Sequence, residues 1–567
     1  MRRLFAFALA CALSCPSVAA AQAGGPVARS VEVSVTNVDV VVTDSKGQPI
    51  TDLTAADFEV RQDGVVQPLT NFSFIRNLPP ATPATPLAPA PPPAARADLS
   101  QQQAARAHLI VFLDEIHLAT IDRNRALRSL REYLPTVIGP GVEAQLVTWD
   151  RGLRIRGPFT SDVPVLLSML ETLEKESSTG DVPIRERDRV VQQIDSALLA
   201  DARTRDVLLS QAVSSLRAWC DAQSTDVDAT MGALRASLGA VAGVEGRKVL
   251  FFVTQRLTPS PGRDLFDYIQ TAGGQSIRNS RSLGVDDLSY RTFDRSSSFR
   301  GLASAANAAG VSLVTIEASG LDFDTTFSAQ SGSSLGRLDE GIASLDMKAA
   351  LGLLADETGG ATIQDRNNLA LALKSLEADW TAYYSLGYES PDAKPGKPRS
   401  IKVSVSRPGA RARSRRTVIE RTPEEKVADA VLSGVHIPRT VNPLRASLRI
   451  GTPKKSGKMW LVPLDFRIPF DKLTLVPQGG RARGAVLFTA VAASPDGRIS
   501  PVTTERAPID VPEADLAALS GKSFTYSATL KVRPGEQVLS TALTDEVSRL
   551  SSFVQPHVLI GDKPGTR

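Results

Sequence analysis

His108-Leu-Ile-Val-Phe-Leu-Asp114-Glu-Ile-His-Leu118 opens with an unbroken apolar run, 109–113, that leads into two acids. A strand covered on both faces needs apolar side chains at every position rather than at alternate ones, so this run reads as the centre of a parallel sheet. Open α/β sheets bind ligands outside the carboxyl ends of their strands, which puts Asp114 and Glu115 where a site is expected.

Working outward, the pattern on the carboxyl side alternates strand and helix. A helix is predicted around 121–133, with Leu127, Leu130 and Leu134 on its buried side, and a strand pair follows at 143–150 and 153–159. A long helical stretch lies between Arg185 and Ala218, and a separate helix runs from Thr230 to Val241. Arg247-Lys-Val-Leu-Phe-Phe-Val-Thr254 is a second short apolar run and is predicted to lie beside the first. A helix at 302–309 stopped by Gly310, a strand at 311–317 and a helix ending on Gly359-Gly360 complete a mainly parallel, Rossmann-like α/β unit over 107–421. Insertions are expected near 176–225 and 257–299. The second is poor in apolar periodicity and, like 322–336, reads as mobile.

Toward the amino terminus, Val31-Glu-Val-Ser-Val-Thr-Asn-Val-Asp-Val-Val-Val-Thr43 alternates, and Asp63-Gly64 marks a hairpin, so 28–77 is predicted as a small β-domain. Residues 78–106 are rich in Pro and Ala and read as an extended linker. Met1-Arg-Arg and the apolar run after them, closed by small residues, read as a signal peptide over 1–21. Alternation at 459–470, 485–492 and 524–532 predicts a C-terminal β-sandwich over 441–563.

Composition narrows the function classes. Lys and Arg number 65 against 61 acids, a net charge of +4 that supports no nucleic-acid partner. No later segment offers the ~18 apolar residues of a membrane span. Cys11 and Cys15 fall within the predicted signal, leaving Cys220 alone on a packed helix, where a buried inert thiol is expected. No phosphate-cradling Gly-x-x-x-x-Gly-Lys-Ser/Thr loop and no His-Glu-x-x-His pair occurs. The arginines of 407–416 read as a solvated loop or strand edge.

Leu109-Ile-Val-Phe-Leu-Asp114, Gly246-Arg-Lys-Val-Leu-Phe-Phe-Val-Thr254, Leu353-Leu-Ala-Asp-Glu-Thr-Gly-Gly360 and Tyr383-Tyr-Ser-Leu-Gly-Tyr388 occur in that order. With Val38–Gly47 and Leu53–Val60 before them, they make the chain resemble the exported von Willebrand factor type A-related proteins of acidobacteria, over roughly residues 30 to 420. The resemblance implies a type A domain that adheres or assembles through a divalent Mg or Ca ion held by oxygen donors at the upper edge of the sheet. Its pattern wants Asp-x-Ser-x-Ser, a loop Thr and a second Asp. Here Asp114 matches the first position, while Ile116 and Leu118 stand where the serines would be. Thr225 or Thr230 would supply the threonine, and Thr254-Gln255-Arg256 stands where the second acid is expected. Glu115 and His117 are predicted to share a strand face opposite to that of Asp114.

The reading is therefore an exported, non-enzymatic interaction or adhesion-type protein that needs no cofactor. It would bind an unknown protein partner, in possible association with the envelope, along an edge comprising Asp114, Glu115, Thr225, Thr230, Gln255 and Arg256. Metal-free pairing of Asp114 with a cation such as Arg256 is preferred over ion binding. The alternatives are a hydrolase-like enzyme whose site is shaped by the long insertion, and a self-associating envelope component.

Overall fold

Apolar runs with no polar alternation must be covered on both faces, and the chain provides that cover. The structure, a computed structural model, describes residues 35–76 and 107–560 apart from 202, 279–282, 284–287, 321–336, 367, 377–381, 391–394, 438, 440 and 495–497. The segments expected to be a signal peptide, a linker and, at 322–336, an insertion lie outside the described residues.

In chain order the first strands are β1 (Val35–Thr43), β2 (Phe58–Gln62), β3 (Val65–Gln67) and β4 (Leu69–Arg76). Next come β5 (Ala107–Asp114), α1 (Thr120–Val137), β6 (Val142–Trp149), β7 (Leu153–Ile155) and α2 (Val163–Lys175). Two long helices, α3 (Asp181–Leu199) and α4 (Arg205–Val241), lead into β8 (Arg247–Thr254). After these run α5 (Arg263–Arg278), α6 (Ser296–Ala309), β9 (Val311–Glu317), α7 (Arg337–Thr358), β10 (Ala361–Ile363) and α8 (Leu369–Ser375). Then follow β11 (Ala382–Glu389), β12 (Pro398–Val405), β13 (Arg411–Ser414), β14 (Thr417–Ile419) and α9 (Pro423–Gly434).

The central sheet has the order β10-β9-β8-β5-β6-β7. Its neighbours are parallel except for β7, which runs against β6. The chain therefore winds outward from β5 through β6 and β7, crosses back to β8, and winds the other way to β10. That is the doubly wound order, and its switch point lies between β5 and β8. Alternate residues of β5 serve two cores. Leu109, Val111 and Leu113 pack with Leu127, Leu130 and Leu134 of α1, while Ile110 and Phe112 pack with Leu234 of α4, Phe252 and Leu302. Truncating a fully buried ring such as that of Phe252 to alanine costs about 3–5 kcal/mol.

Two sequence expectations are corrected by the helices. The helix predicted from Thr230 is the end of a single 37-residue α4. The segment 257–299, expected to be a mobile insertion, contains α5, whose Leu265, Phe266 and Ile269 are buried against Val190 and Ile194 of α3 and Leu216 of α4. Its apolar stripe is short and flanked by polar residues, so periodicity over a long window hides it. Together α3, α4 and α5 form a helical cap with its own core.

The N-terminal strands are also placed differently. Strand β1 lies between β13 and β11, and β2 lies between β12 and β3, so each of the two four-stranded sheets mixes strands from both ends of the α/β unit. Val38, Val40, Val60, Tyr384, Leu386 and Ile401 share one core between the sheets. The predicted 28–77 domain is thus half of a sandwich, and 382–419, assigned by sequence to the α/β unit, is its other half. Antiparallel strands alternate in the same way whichever partner they find, so the sequence pattern carries no record of this pairing.

Residues 447–560 form two further antiparallel sheets around Phe466 and Phe488, whose ring centroids lie 4.7 Å apart. Helix α9 docks through Ala430 and Val431 on Val491 and Ala542 of this sandwich. No helix among the described residues is long and apolar enough to cross a membrane.

Candidate functional site: a capped switch point

Strand β5 ends at Asp114, wholly buried beside β8, and the backbone turns at once, His117 N–H donating to Asp114 O at 3.2 Å. The turn folds His117 back onto the acid, its Nδ1 lying 2.7 Å from Asp114 Oδ2. With a carboxylate oxygen as acceptor, Nδ1 carries the hydrogen. From β8, Thr254 Oγ1 donates to the same oxygen at 2.8 Å. The expectation that His117 faces away from Asp114 is therefore wrong, because strand alternation stops where the strand does.

The other predicted residues scatter. Glu115 is buried, accepts from Arg123 Nη1 at 3.0 Å, and has its carboxyl raised above the usual range by burial despite that partner. Gln255 pins the start of α1, its Oε1 accepting from Ala119 N–H at 3.1 Å and its Nε2 donating to Asp122 at 2.7 Å. Thr230 is buried in α4 and accepts from Trp149 Nε1 at 3.0 Å. Thr225 is exposed and donates to Asp221 O within its own helix. Neither threonine touches Asp114. Arg256 sits just past β8 in the left-handed region, at φ 57°, with its guanidinium lowered to about 10 by burial. The polar contacts of Asp114 are with Thr254 and His117 rather than with Arg256.

These residues do not form an open edge. The amino end of α3 sits directly on the turn after β5. A Cβ on Gly180 would stand 1.7 Å from Leu118 O, so only glycine fits there. Between turn and cap lies a cavity of about 90 Å³, walled by Ile116, Ile184, Trp219, Val227 and Met347, with His117 and Arg256 at its margin. That volume holds several waters or a small organic group. His117 Nε2 and Trp219 Nε1 are buried without a hydrogen-bond partner among the described residues, as is Asp114 Oδ1. Arg187, also lining the cavity, pairs with Asp264 at 2.6 Å. Sequence reasoning missed Trp219, Arg187 and Asp264. The helical periodicity of 185–218 was visible, but nothing in it says which part of the fold the hairpin covers.

The donor set does not fit a divalent ion. The side chains of Ile116 and Leu118 are buried in apolar surroundings, Gln255 is fully used in holding α1, and Asp114 offers one oxygen, Oδ1, since Oδ2 is held by Thr254 and His117. Hard cations require several converging oxygens, and no group of three or more His, Cys, Asp or Glu side chains with that geometry occurs among the described residues.

No family model and no curated protein matches the chain. Solved structures with some likeness include an aerotolerance-related membrane protein from Bacteroides fragilis with multiple mutations to serines. That match has 11% identity and a TM-score of 0.22, covering 48% of this chain and 98% of that one. The pilus adhesin SpaC from Lactobacillus rhamnosus GG matches at 9% identity and TM-score 0.23, over 89% of this chain and 62% of that one. The three N-terminal domains of the type V pili tip protein Mfa5 from Porphyromonas gingivalis match at 10% and 0.21, over 87% and 79%. Likeness at this level assigns no function.

Proposed function

We propose that the chain is an exported, non-enzymatic binding protein of the von Willebrand factor type A kind, which recognises its partner at the switch point without a divalent ion. One observation carries the reading. The acid at the ion position is wholly buried and held by Thr254 and His117, and near it lies a mostly apolar, partly open cavity under the helical cap. A compact, largely apolar group of the partner would fill that cavity and meet the hydrogen-bonding atoms at its margin. In this reading the docking site is this partly covered cavity instead of the open edge expected from sequence.

The test is affinity capture from an envelope extract in EDTA, comparing the wild-type chain with Ala343→Phe, which fills the cavity from α7. The expected result is a partner retained by the wild type in EDTA and lost by a variant whose melting temperature is unchanged. Retention that needs Mg²⁺, or equal retention by both proteins, would refute the reading. A hydrolase remains the second reading, because Asp114 orients His117 as a base would be oriented. Ester cleavage abolished by His117→Ala would favour it.

A further inference from the structure

A second, more polar cavity of about 260 Å³ lies at the opposite end of the central sheet, where the amino ends of β8 and β9 meet the N-terminal sandwich. Among its walls stand three cations, Arg247, Lys248 and Arg415, against one carboxylate, Asp39. Asp39 is engaged by Arg247, at 3.5 Å, and that guanidinium also lies over the Tyr383 ring at 4.6 Å. Lys248 Nζ donates to Ala242 O at 3.1 Å and Val244 O at 2.8 Å, which uses two of its three hydrogens. Arg415 donates to Asn37 O. Neither Lys248 nor Arg415 forms an ion pair among the described residues.

The two cations converge on a space that no side chain among the described residues fills. Gly310 closes α6 in the left-handed conformation, and a Cβ placed on it would stand 3.8 Å from Lys248 Nζ and 3.9 Å from Arg415 Nη1. Asn307, 3% exposed, also lines the cavity. Its Nδ2 donates to Glu357 O at 3.1 Å, which fixes the amide orientation, and its Oδ1 is a buried acceptor without a partner among the described residues. The cavity thus combines cationic donors with one orphaned acceptor. A carboxylate or sulfate satisfies only the donors at neutral pH. A phosphate that keeps one proton satisfies both.

We propose that this cavity is a phosphate site, in which Lys248 and Arg415 hold the oxyanion and Asn307 Oδ1 accepts its P–O–H hydrogen. Buried oxyanions are commonly held by charge-assisted hydrogen bonds of this type. The site is independent of the capped cavity at the other end of the sheet, so its failure leaves the proposed function untouched.

The experiment is thermal melting and calorimetric titration of the full chain at constant ionic strength, with inorganic phosphate, sulfate, acetate and phenyl phosphate. The expected result is a saturable rise with inorganic phosphate and binding of sulfate and acetate weaker by about tenfold or more. Arg415→Gln should lose about tenfold in phosphate affinity, and Asn307→Ala should erase the preference for phosphate over sulfate. If Arg415→Gln melts too low to assay, Lys248→Gln reads the same loss. Compared at pH about 5.5, where both ligands keep a proton, phenyl phosphate binding as well as inorganic phosphate would assign a phosphomonoester ligand, and weaker binding would assign the free ion. No saturable response, equal responses to phosphate and sulfate in the wild type, or unchanged affinity in the cation variants would overturn the proposal.

Discussion

Replacing Asp114 by alanine removes the acceptor of two buried hydrogen bonds, from Thr254 Oγ1 at 2.8 Å and His117 Nδ1 at 2.7 Å. Both donors stay behind on residues that are themselves buried, Thr254 and His117, and each buried donor left unsatisfied costs about 1–3 kcal/mol. The sum predicts a loss of about 4 kcal/mol for Asp114→Ala. Asp114→Asn keeps an oxygen for those donors, while its amide hydrogens face the side where Oδ1 has no partner, so about 1–2 kcal/mol is expected. In Thr254→Val one donor is already gone, and a double-mutant cycle with Asp114→Ala should return about 1–3 kcal/mol of coupling. The assay is urea unfolding in EDTA followed by tryptophan fluorescence, with unchanged m-values showing that stability alone has moved. An Asp114→Ala protein within about 1 kcal/mol of wild type would refute the claim that this acid is structurally engaged.

Two further outcomes follow from the fold and its charges. A fragment of residues 28–77 should be unfolded by circular dichroism and NMR, since β1 and β2 both lack their partners from β11, β12 and β13, and a folded fragment would contradict the shared sandwich. Burial, and next the charge of Arg415, hold the Lys248 ammonium down to about 8, with Arg439 acting the same way and Asp39 and Asp429 opposing. The unfolded chain then binds more protons between that value and the usual ~10.4, so stability should rise with pH across that window by up to ~3 kcal/mol. Lys248→Met should lose that rise in urea midpoints compared at pH 7.5 and 10, and an identical pH slope in both proteins would contradict it.

The sheet was legible in the sequence because β5 and β8 are covered on both faces, and a doubly covered strand leaves an uninterrupted apolar run. Asp114 was placed correctly at the carboxyl end of β5 for the same reason. The pairing of β1 with β11 was not legible, since Val38-Asp-Val40 alternates identically in any antiparallel setting. The contact of His117 with Asp114 was hidden by a turn that begins one residue after the strand. The cap was hidden because amphipathic helices record that they have a buried face, not what lies beneath it. Thr225 and Thr230 were drawn in by the family pattern, and helix α4, longer than its sequence pattern suggested, carries both away from the acid.

Thermal melting of the full chain with Mg²⁺, Ca²⁺, Mn²⁺ or EDTA decides whether Asp114 holds an ion, because any ion bound to the native state alone must raise its stability. Each protein, the wild type and the less stable Asp114→Asn, is expected to keep its own melting temperature unchanged across all four conditions. A saturable, ion-specific rise that disappears in Asp114→Asn would show that the switch point holds a metal after all.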